Sequence, residues 1–206
     1  QFVPLEGSVK VTRLRLRNTG ATRRRLNVTA YAEWSLGSAR STSAPHVLTW
    51  QDPVTGALLA KNTFTTAFPG LVAFADLGGL TDSLSADRAE FLGTGGTLAS
   101  PAGLGNAALS GRTGAGLDPC AALRRKVALD PGETVEILFL LGEAESADAA
   151  SALVARMRAE DPARTLDQVR QFWADQLTAV QITSPDRAAD ILLNGWLLYQ
   201  TLACRF

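Results

Sequence analysis

A chain of 206 residues that is 46% hydrophobic, with 20 basic and 20 acidic side chains, can bury one sizeable core or a domain with an appendage. The cancelling charges leave no field to recruit nucleic acid or an acidic membrane surface, and nucleic acid is excluded as a partner. The single histidine, His46, and two widely separated cysteines, Cys120 and Cys204, give no material for the usual His/Cys zinc site or a Ser/His/Asp triad. The cysteines read as free thiols of a reducing compartment, which makes the sequon Asn27-Val28-Thr29 a chance match. No secretory signal opens the chain.

The elements follow in chain order. Val9 and Val11 share one phase and Leu14 and Leu16 the opposite one, which predicts a first strand with a bulge or bend near Thr12. Arg13, Arg15 and Arg17 fall on one face of it, and with Arg23 to Arg25 they read as solvated or ion-paired arginines. After the turn Asn18-Thr19-Gly20, Leu26, Val28, Ala30, Ala32, Trp34 and Leu36 alternate with polar residues, the pattern of a long half-buried antiparallel strand. His46 to Trp50 and Ala57 to Lys61 flank the turn Asp52-Pro53-Val54-Thr55-Gly56 and predict a hairpin. Leu71 to Ala75 is a short apolar strand, and Gly78 to Gly116 reads as long surface loops. Ala122 to Leu129 and Val135 to Leu141 bracket Asp130-Pro131-Gly132-Glu133, predicting a second hairpin.

The period then changes. Ser146 can cap a helix with Ala150, Leu153, Val154 and Met157 on one stripe, ending at Asp161-Pro162. Thr165 and Gln168 have capping-box spacing for a second helix with Leu166, Val169, Trp173 and Leu177 as its buried stripe. Extended residues Val180 to Thr183 lead to a last helix, capped by Ser184 with Pro185 in its first turn. From Ile191 on, Leu192, Trp196, Tyr199, Ala203 and Phe206 fall on one face and Ile191, Leu198 and Leu202 on others, the pattern of a helix buried all round. Asn194, Gln200 and Arg205 interrupt the run, which is shorter than the ~20 residues of a bilayer span. It has no stop signal before Phe206, so the sequence reads as cut within a further domain.

Few residues read as chemistry. The glycines Gly93 to Gly96 and Gly111 to Gly116 miss phosphate-loop spacing, and Asp87 with Glu90 reads as a solvated loop pair rather than a general acid and base. Tyr31 and Trp50 could stack on a sugar face, whereas Trp34 lies on the apolar phase and Trp196 and Tyr199 read as helix-packing residues.

Four segments, Tyr31-Ala32-Glu33-Trp34-Ser35-Leu36-Gly37, Asp87-Arg88-Ala89-Glu90-Phe91-Leu92-Gly93, Gly114 to Leu123 (GAGLDPCAAL) and Leu193 to Leu202 (LNGWLLYQTL), resemble glycoside hydrolase family 94, formerly glycosyltransferase family 36. The nearest branch is the phosphorylase-like region of cyclic β-1,2-glucan synthases. The resemblance implies a mainly β fold: an antiparallel β-sandwich of the galactose-mutarotase type over residues 1–143, lacking its N-terminal part, a helical linker over 144–183, and the first helix of a truncated (α/α)6 barrel over 184–206. It further implies a parent enzyme that makes or phosphorolyses β-glucosidic bonds with inversion, with inorganic phosphate as co-substrate and no cofactor or metal. The catalytic acid and phosphate-binding groups are expected downstream of Phe206, so no catalytic, cofactor-binding or metal residue is assigned here. Implied partners are the barrel of the same polypeptide, a β-glucan or glucose oligosaccharide, and a second copy in a homodimer. The implied location is the cytoplasm, or the cytoplasmic face of the inner membrane for a cyclic glucan synthase. The rival reading is a stand-alone carbohydrate-binding or interaction module.

Overall fold

The structure is a computed structural model that describes residues 1–178 and 180–204, with Leu202 and Ala203 described by backbone alone. Arg205, Phe206 and the side chains of Leu202 and Ala203, all placed on the last helix by the sequence pattern, lie outside the described residues. The chain divides into two compact units, Gln1–Glu160 and Asp161–Phe206.

The first unit is a β-sandwich. Its strands are β1 (Val9–Arg17), β2 (Arg24–Glu33), β3 (Val47–Gln51), β4 (Leu58–Asn62), β5 (Val72–Asp76), β6 (Ser83–Asp87), β7 (Pro119–Leu129) and β8 (Thr134–Ala144). Among the described residues they form one five-stranded antiparallel sheet, β1-β8-β5-β4-β3, and one three-stranded sheet, β2-β7-β6. Leu58, Ala60, Ala75, Leu84, Leu123, Leu129 and Ile137 fill the space between the sheets, joined by Trp34 from the segment after β2. The hairpin β3-β4 forms as its turn residues demand: Asp52 N donates to Ala57 O at 2.8 Å, and Gly56 supplies the positive φ of 74°.

Three expectations are corrected. β1 keeps an unbroken register with β8 from Val9↔Gly142 to Arg17↔Thr134, so no bulge is needed near Thr12. Both phases are used because the large sheet is covered on both faces: Val9 and Val11 pack on one side, while Leu16 packs toward the other sheet. Second, Gly78 to Gly116 is not all loop. It contains β6 and the short helix α2 (Arg88–Leu92), and β6 is buried from Leu84 to Asp87 although Ser-Leu-Ser-Ala-Asp carries almost no apolar signal. Third, β7 and β8 are not a hairpin. β7 pairs with β2 and β6, β8 with β1 and β5, so Asp130-Pro131-Gly132-Glu133 carries the chain from one sheet to the other. The β1-to-β2 connection makes the same crossing, and buried Asn18 ties the two corners together. Its Nδ2 donates to Leu129 O and Thr22 O, both at 2.9 Å, while its backbone accepts from Gly132 N and donates to Glu133 O.

Preceding α2 is the four-residue α1 (Arg40–Ser43). After β8, helix α3 (Ala147–Ala159) starts where the sequence places it: Ser146 Oγ accepts from Ala149 N at 3.1 Å. Its buried Ala150, Val154 and Met157 pack on Val9, Val11, Leu59, Val72, Phe74 and Leu140 of the outer face of the large sheet. Polar anchors add to this. Ser151 Oγ donates to Asp52 Oδ2 at 2.8 Å, and Arg158 grips Asp76, 1% exposed, through Nε (3.0 Å) and Nη2 (2.6 Å) while also donating to Thr55 O (2.8 Å). Residues 144–160, read from the sequence as the start of a linker, therefore pack within the first unit. On the sheet beneath, Phe74 lies opposite Gly142, where an added Cβ would come within 2.6 Å of its ring.

In the second unit, α4 (Pro162–Thr178) begins three residues before the predicted capping box. Asp161 Oδ1 accepts from Ala163 N at 2.9 Å with Pro162 in the first turn, and Thr165 Oγ1 bonds back to Asp161 O instead of capping. The stripe residue Trp173 is 42% exposed. α5 (Arg187–Ile191) is capped by Asp186, whose Oδ1 accepts from Ala188 N, so Ser184 lies outside the helix. A π-turn (Leu192–Trp196) and α6 (Leu197–Ala203) follow. Asn194 exchanges two 2.8 Å hydrogen bonds with the Ile182 backbone, as a neighbouring strand would. Within this chain, Ile191, Trp196 and Tyr199 of the last helical segment are exposed by more than half among the described residues. No described helix is long and apolar enough to cross a membrane.

Candidate functional site

Three of the four family-like segments meet at one end of the small sheet. Asp87 closes β6 and caps α2, its Oδ1 accepting from Ala89 N at 3.0 Å, and this cap fixes where the next residue, Arg88, points. Arg88 Nε donates to Glu33 Oε1 at 2.9 Å and Nη1 to Asp118 Oδ2 at 3.3 Å. Arg40, on α1, closes the figure: it pairs with Asp118, and its Nε lies 3.4 Å from Glu33 Oε2. Glu33, Arg88, Asp118 and Arg40 thus form a closed ring of alternating charge, each side chain about one-third exposed (30–36%). Tyr31 stacks on Phe91 at 4.8 Å and donates its hydroxyl to Glu33 Oε1 at 2.9 Å.

A second layer supports the ring. Asp87 Oδ2 pairs with Arg112 at 2.8 Å, while Glu90 accepts from Ser85 Oγ (2.6 Å) and from Ser110 N (2.9 Å) and Oγ (2.6 Å). The Asp87 and Glu90 pair is therefore structural rather than a solvated loop pair, because its partners Ser85, Ser110 and Arg112 come from other segments. Beneath it, Phe91, Leu92, Leu109, Cys120 and Ala122 form a small apolar cluster.

Electrostatics decide what the ring can do. Partial burial alone would raise the Glu33 carboxyl, but hydrogen bonds from Arg88 and Tyr31 and the charges of Arg88 and Arg40 outweigh it and hold the pKa below the ordinary carboxylate value. Glu90 behaves alike, burial being outweighed by Ser110 and Ser85. The Arg88 guanidinium is pushed up by its bonds to Glu33 and Asp118. Burial, then the bond to Glu33, raises the Tyr31 hydroxyl. Burial, reinforced by the charges of Asp87, Asp118 and Glu33, pushes the Cys120 thiol up to about 12, where no nucleophilic thiolate exists near neutrality. Two carboxylates are matched by two guanidiniums, so each side chain of the ring is held by an ion pair rather than turned toward an open space. The ring is built to clamp four segments, not to transfer a proton.

Of the aromatic residues, Trp34 is 4% exposed as read, and Trp50 packs beside the cluster under α3, which removes it as an open stacking platform. Trp196 and Tyr199 tilt against each other at 5.7 Å, and His46 stacks on Phe64 at 4.7 Å. Arg13 pairs with Glu136 at 2.8 Å, as expected of an ion-paired strand arginine. Sequence reasoning missed Arg124. Alternation puts it on the outer face of the small sheet, where an arginine reads as solvated, yet it is fully buried and donates to Gly103 O (2.5 Å), Asn106 O (2.6 Å) and Thr29 Oγ1 (3.3 Å). No local signal marks it, since the covering loop lies about twenty residues upstream. Among the described residues no group of three His, Cys, Asp or Glu could hold a metal ion.

The family model described as glycosyl hydrolase 94, supersandwich domain, matches residues 1–160, the same limits as the first compact unit. The chain is 38% identical over 197 residues to the cyclic beta-(1,2)-glucan synthase NdvB of Rhizobium meliloti, an alignment covering 95% of this chain and 7% of that protein. It is 26% and 22% identical to the N,N'-diacetylchitobiose phosphorylases of Vibrio furnissii and Vibrio proteolyticus, each over 98% of this chain and 26% of the relative. The chain thus spans about a quarter or less of the relatives it matches. It belongs to glycosyl hydrolase family 94, with residues 1–160 forming that family's supersandwich domain.

Proposed function

We propose that this chain is the non-catalytic sandwich and linker portion of a carbohydrate-active enzyme that makes or phosphorolyses β-glucosidic bonds. In this reading the sandwich supports a helical barrel formed by further residues of the same polypeptide, which bind the glucan and carry out inverting attack by inorganic phosphate. A cytoplasmic location, or the cytoplasmic face of the inner membrane, goes with this reading. The observation that carries it is the saturated ring: where the family-like segments converge, every charge is neutralised by a neighbour. General-acid catalysis, typically worth 10²- to 10⁴-fold, needs a proton poised near neutral pH, and Glu33 and Glu90 are held in the opposite direction.

The test is to incubate the purified chain with phosphate and β-1,2-, β-1,3- or β-1,4-linked glucose oligomers and assay glucose 1-phosphate. No release above a protein-free control is expected. Release abolished by Glu33→Gln or Asp118→Asn would overturn the reading.

A further inference from the structure

A single arch of chain covers Arg124 on the outer face of the small sheet. Residues 94–108 run from the end of α2 to the buried Leu109, and only Gly103 among them is buried, whereas Arg124 beneath has no exposed surface. The arch springs from glycines. Gly93 and Gly95 take positive φ of 87° and 70°, and a Cβ on Gly96 would lie 1.8 Å from Leu92 O, so the chain turns there as only glycine can. Apart from Gly96 N to Gly93 O at its own stem, the backbone hydrogen bonds of the arch are turns within itself: Ser100 N to Thr97 O, Leu104 N to Pro101 O and Asn106 N to Gly103 O. The hydrogen bonds that tie it to the rest of the described chain both come from Arg124, Nη2 to Gly103 O at 2.5 Å and Nη1 to Asn106 O at 2.6 Å. Thr29, opposite Arg124 in the β2-β7 ladder, accepts from Nε at 3.3 Å and aims the guanidinium fork.

We infer that residues 94–108 form a latched arch that opens and closes while both sheets stay folded, with the Arg124 guanidinium as the latch. The oxygens that Arg124 bonds are all neutral, so its charge is desolvated without a carboxylate to compensate, and opening returns it to water. The arch adds little apolar burial to hold it down: within this chain Leu98 is 66% and Leu104 49% exposed. Against these few ties stands the conformational entropy of ordering the whole arch. The closed state is therefore held by a narrow margin, the property of segments that open well below the limit of global unfolding. Both ends of the movement are fixed by fastened residues. Leu109 is buried and donates from N to Ser83 Oγ at 3.1 Å, and Gly111 and Arg112 bond the edge of β6. At the other end Phe91 and Leu92 of α2 are buried in the cluster over Cys120, and the arch meets them at Gly103, where a Cβ would come within 2.8 Å of the Phe91 ring. Opening thus uncovers Arg124 and leaves Cys120 covered.

The test is thermolysin digestion of the folded 206-residue chain at urea concentrations below its unfolding transition, with the cut sites read by mass spectrometry. Cleavage before Leu98 and Leu104 should proceed at a rate nearly independent of urea, because opening the arch exposes little surface, whereas cleavage through global unfolding rises steeply with urea. Arg124→Met removes both ties and should speed cleavage in the arch at least about tenfold. Arg124→Lys keeps the charge but not the fork that spans two carbonyls, and its rate should fall between. A Cβ on Gly95 meets no atom within 4 Å but must hold a φ of 70°, so Gly95→Ala should speed the same cleavage several-fold without touching β7. If the Arg124 variants fail to fold, the urea dependence of the unaltered chain and the Gly95→Ala rate still decide. Arch cleavage that tracks global unfolding in urea would overturn the proposal. So would a folded Arg124→Met chain cut in the arch no faster than the unaltered one.

Discussion

Arg158 offers a direct test of whether α3 is an integral part of the sandwich unit. Its guanidinium holds both oxygens of Asp76, and the carboxylate is 1% exposed at the end of the buried strand β5. Replacing Arg158 by methionine keeps most of the side-chain volume on the helix but strands a buried negative charge and leaves Thr55 O without its Arg158 donor. Removing one partner of a buried pair costs about 3–5 kcal/mol, a large part of the ~5–15 kcal/mol that stabilises a whole domain. With a urea slope of about 2 kcal/mol/M, the unfolding midpoint should fall by roughly 1.5–2.5 M. The double variant Arg158→Met, Asp76→Asn should recover most of the loss, because the uncompensated charge is gone. The control is Arg170→Met on α4, whose partner Asp167 is 74% exposed and whose loss should stay within about 0.5 kcal/mol. Urea titrations followed by circular dichroism give these numbers. A single-variant loss under about 1 kcal/mol would refute the reasoning, showing that water or another cation already serves Asp76.

Two further outcomes are expected. Glu33, Asp52 and Glu90 are each held below their ordinary values by hydrogen bonds that outweigh burial, so their contribution is complete above about pH 4.5 and is lost as pH falls through the lowered values. The thermal midpoint should therefore drop on acidification below that point, less steeply in Glu33→Gln, and an identical acid limb in that variant would count against the ring. Cys120 is buried with its thiol near 12 while Cys204 is exposed, so iodoacetamide at pH 8 should label one thiol in the native chain and two in urea; two labelled in the native chain would contradict the packing under α2.

The legible parts of the fold were those governed by neighbours in sequence. The Ser146 cap and the Ala150, Val154, Met157 stripe gave α3 its start and its buried face, and Asp52 to Gly56 gave the β3-β4 turn. Local signals failed where a distant segment supplied the cover or the partner. β6 is a strand because β7 pairs with it and the 109–112 segment closes its far edge, not because Ser-Leu-Ser-Ala-Asp favours one. The charged ring escaped detection for the same reason. Glu33, Arg40, Arg88 and Asp118 come from a strand end, two short helices and a loop, and no pair of them has motif spacing.

The corner after β7 shows where single-chain pattern reading reaches its limit. Asp-Pro-Gly-Glu between two alternating apolar runs satisfies every local rule for a hairpin, and the inward residues Leu123, Val127, Leu129, Ile137 and Phe139 would share one face in either arrangement. What selects the crossing is competition for edges. β7 already spends both edges on β2 and β6, and β8 both of its own on β1 and β5, so neither has backbone left for the other. Asn18 then makes the crossing specific, since its amide bonds Leu129 O at the end of β7 while its backbone bonds Gly132 and Glu133 in the corner itself. Buried and multiply bonded, it is a residue whose shortening to alanine would orphan several polar groups, at about 1–3 kcal/mol each. The crossing of the sandwich is therefore encoded outside the turn, in an asparagine more than a hundred residues upstream.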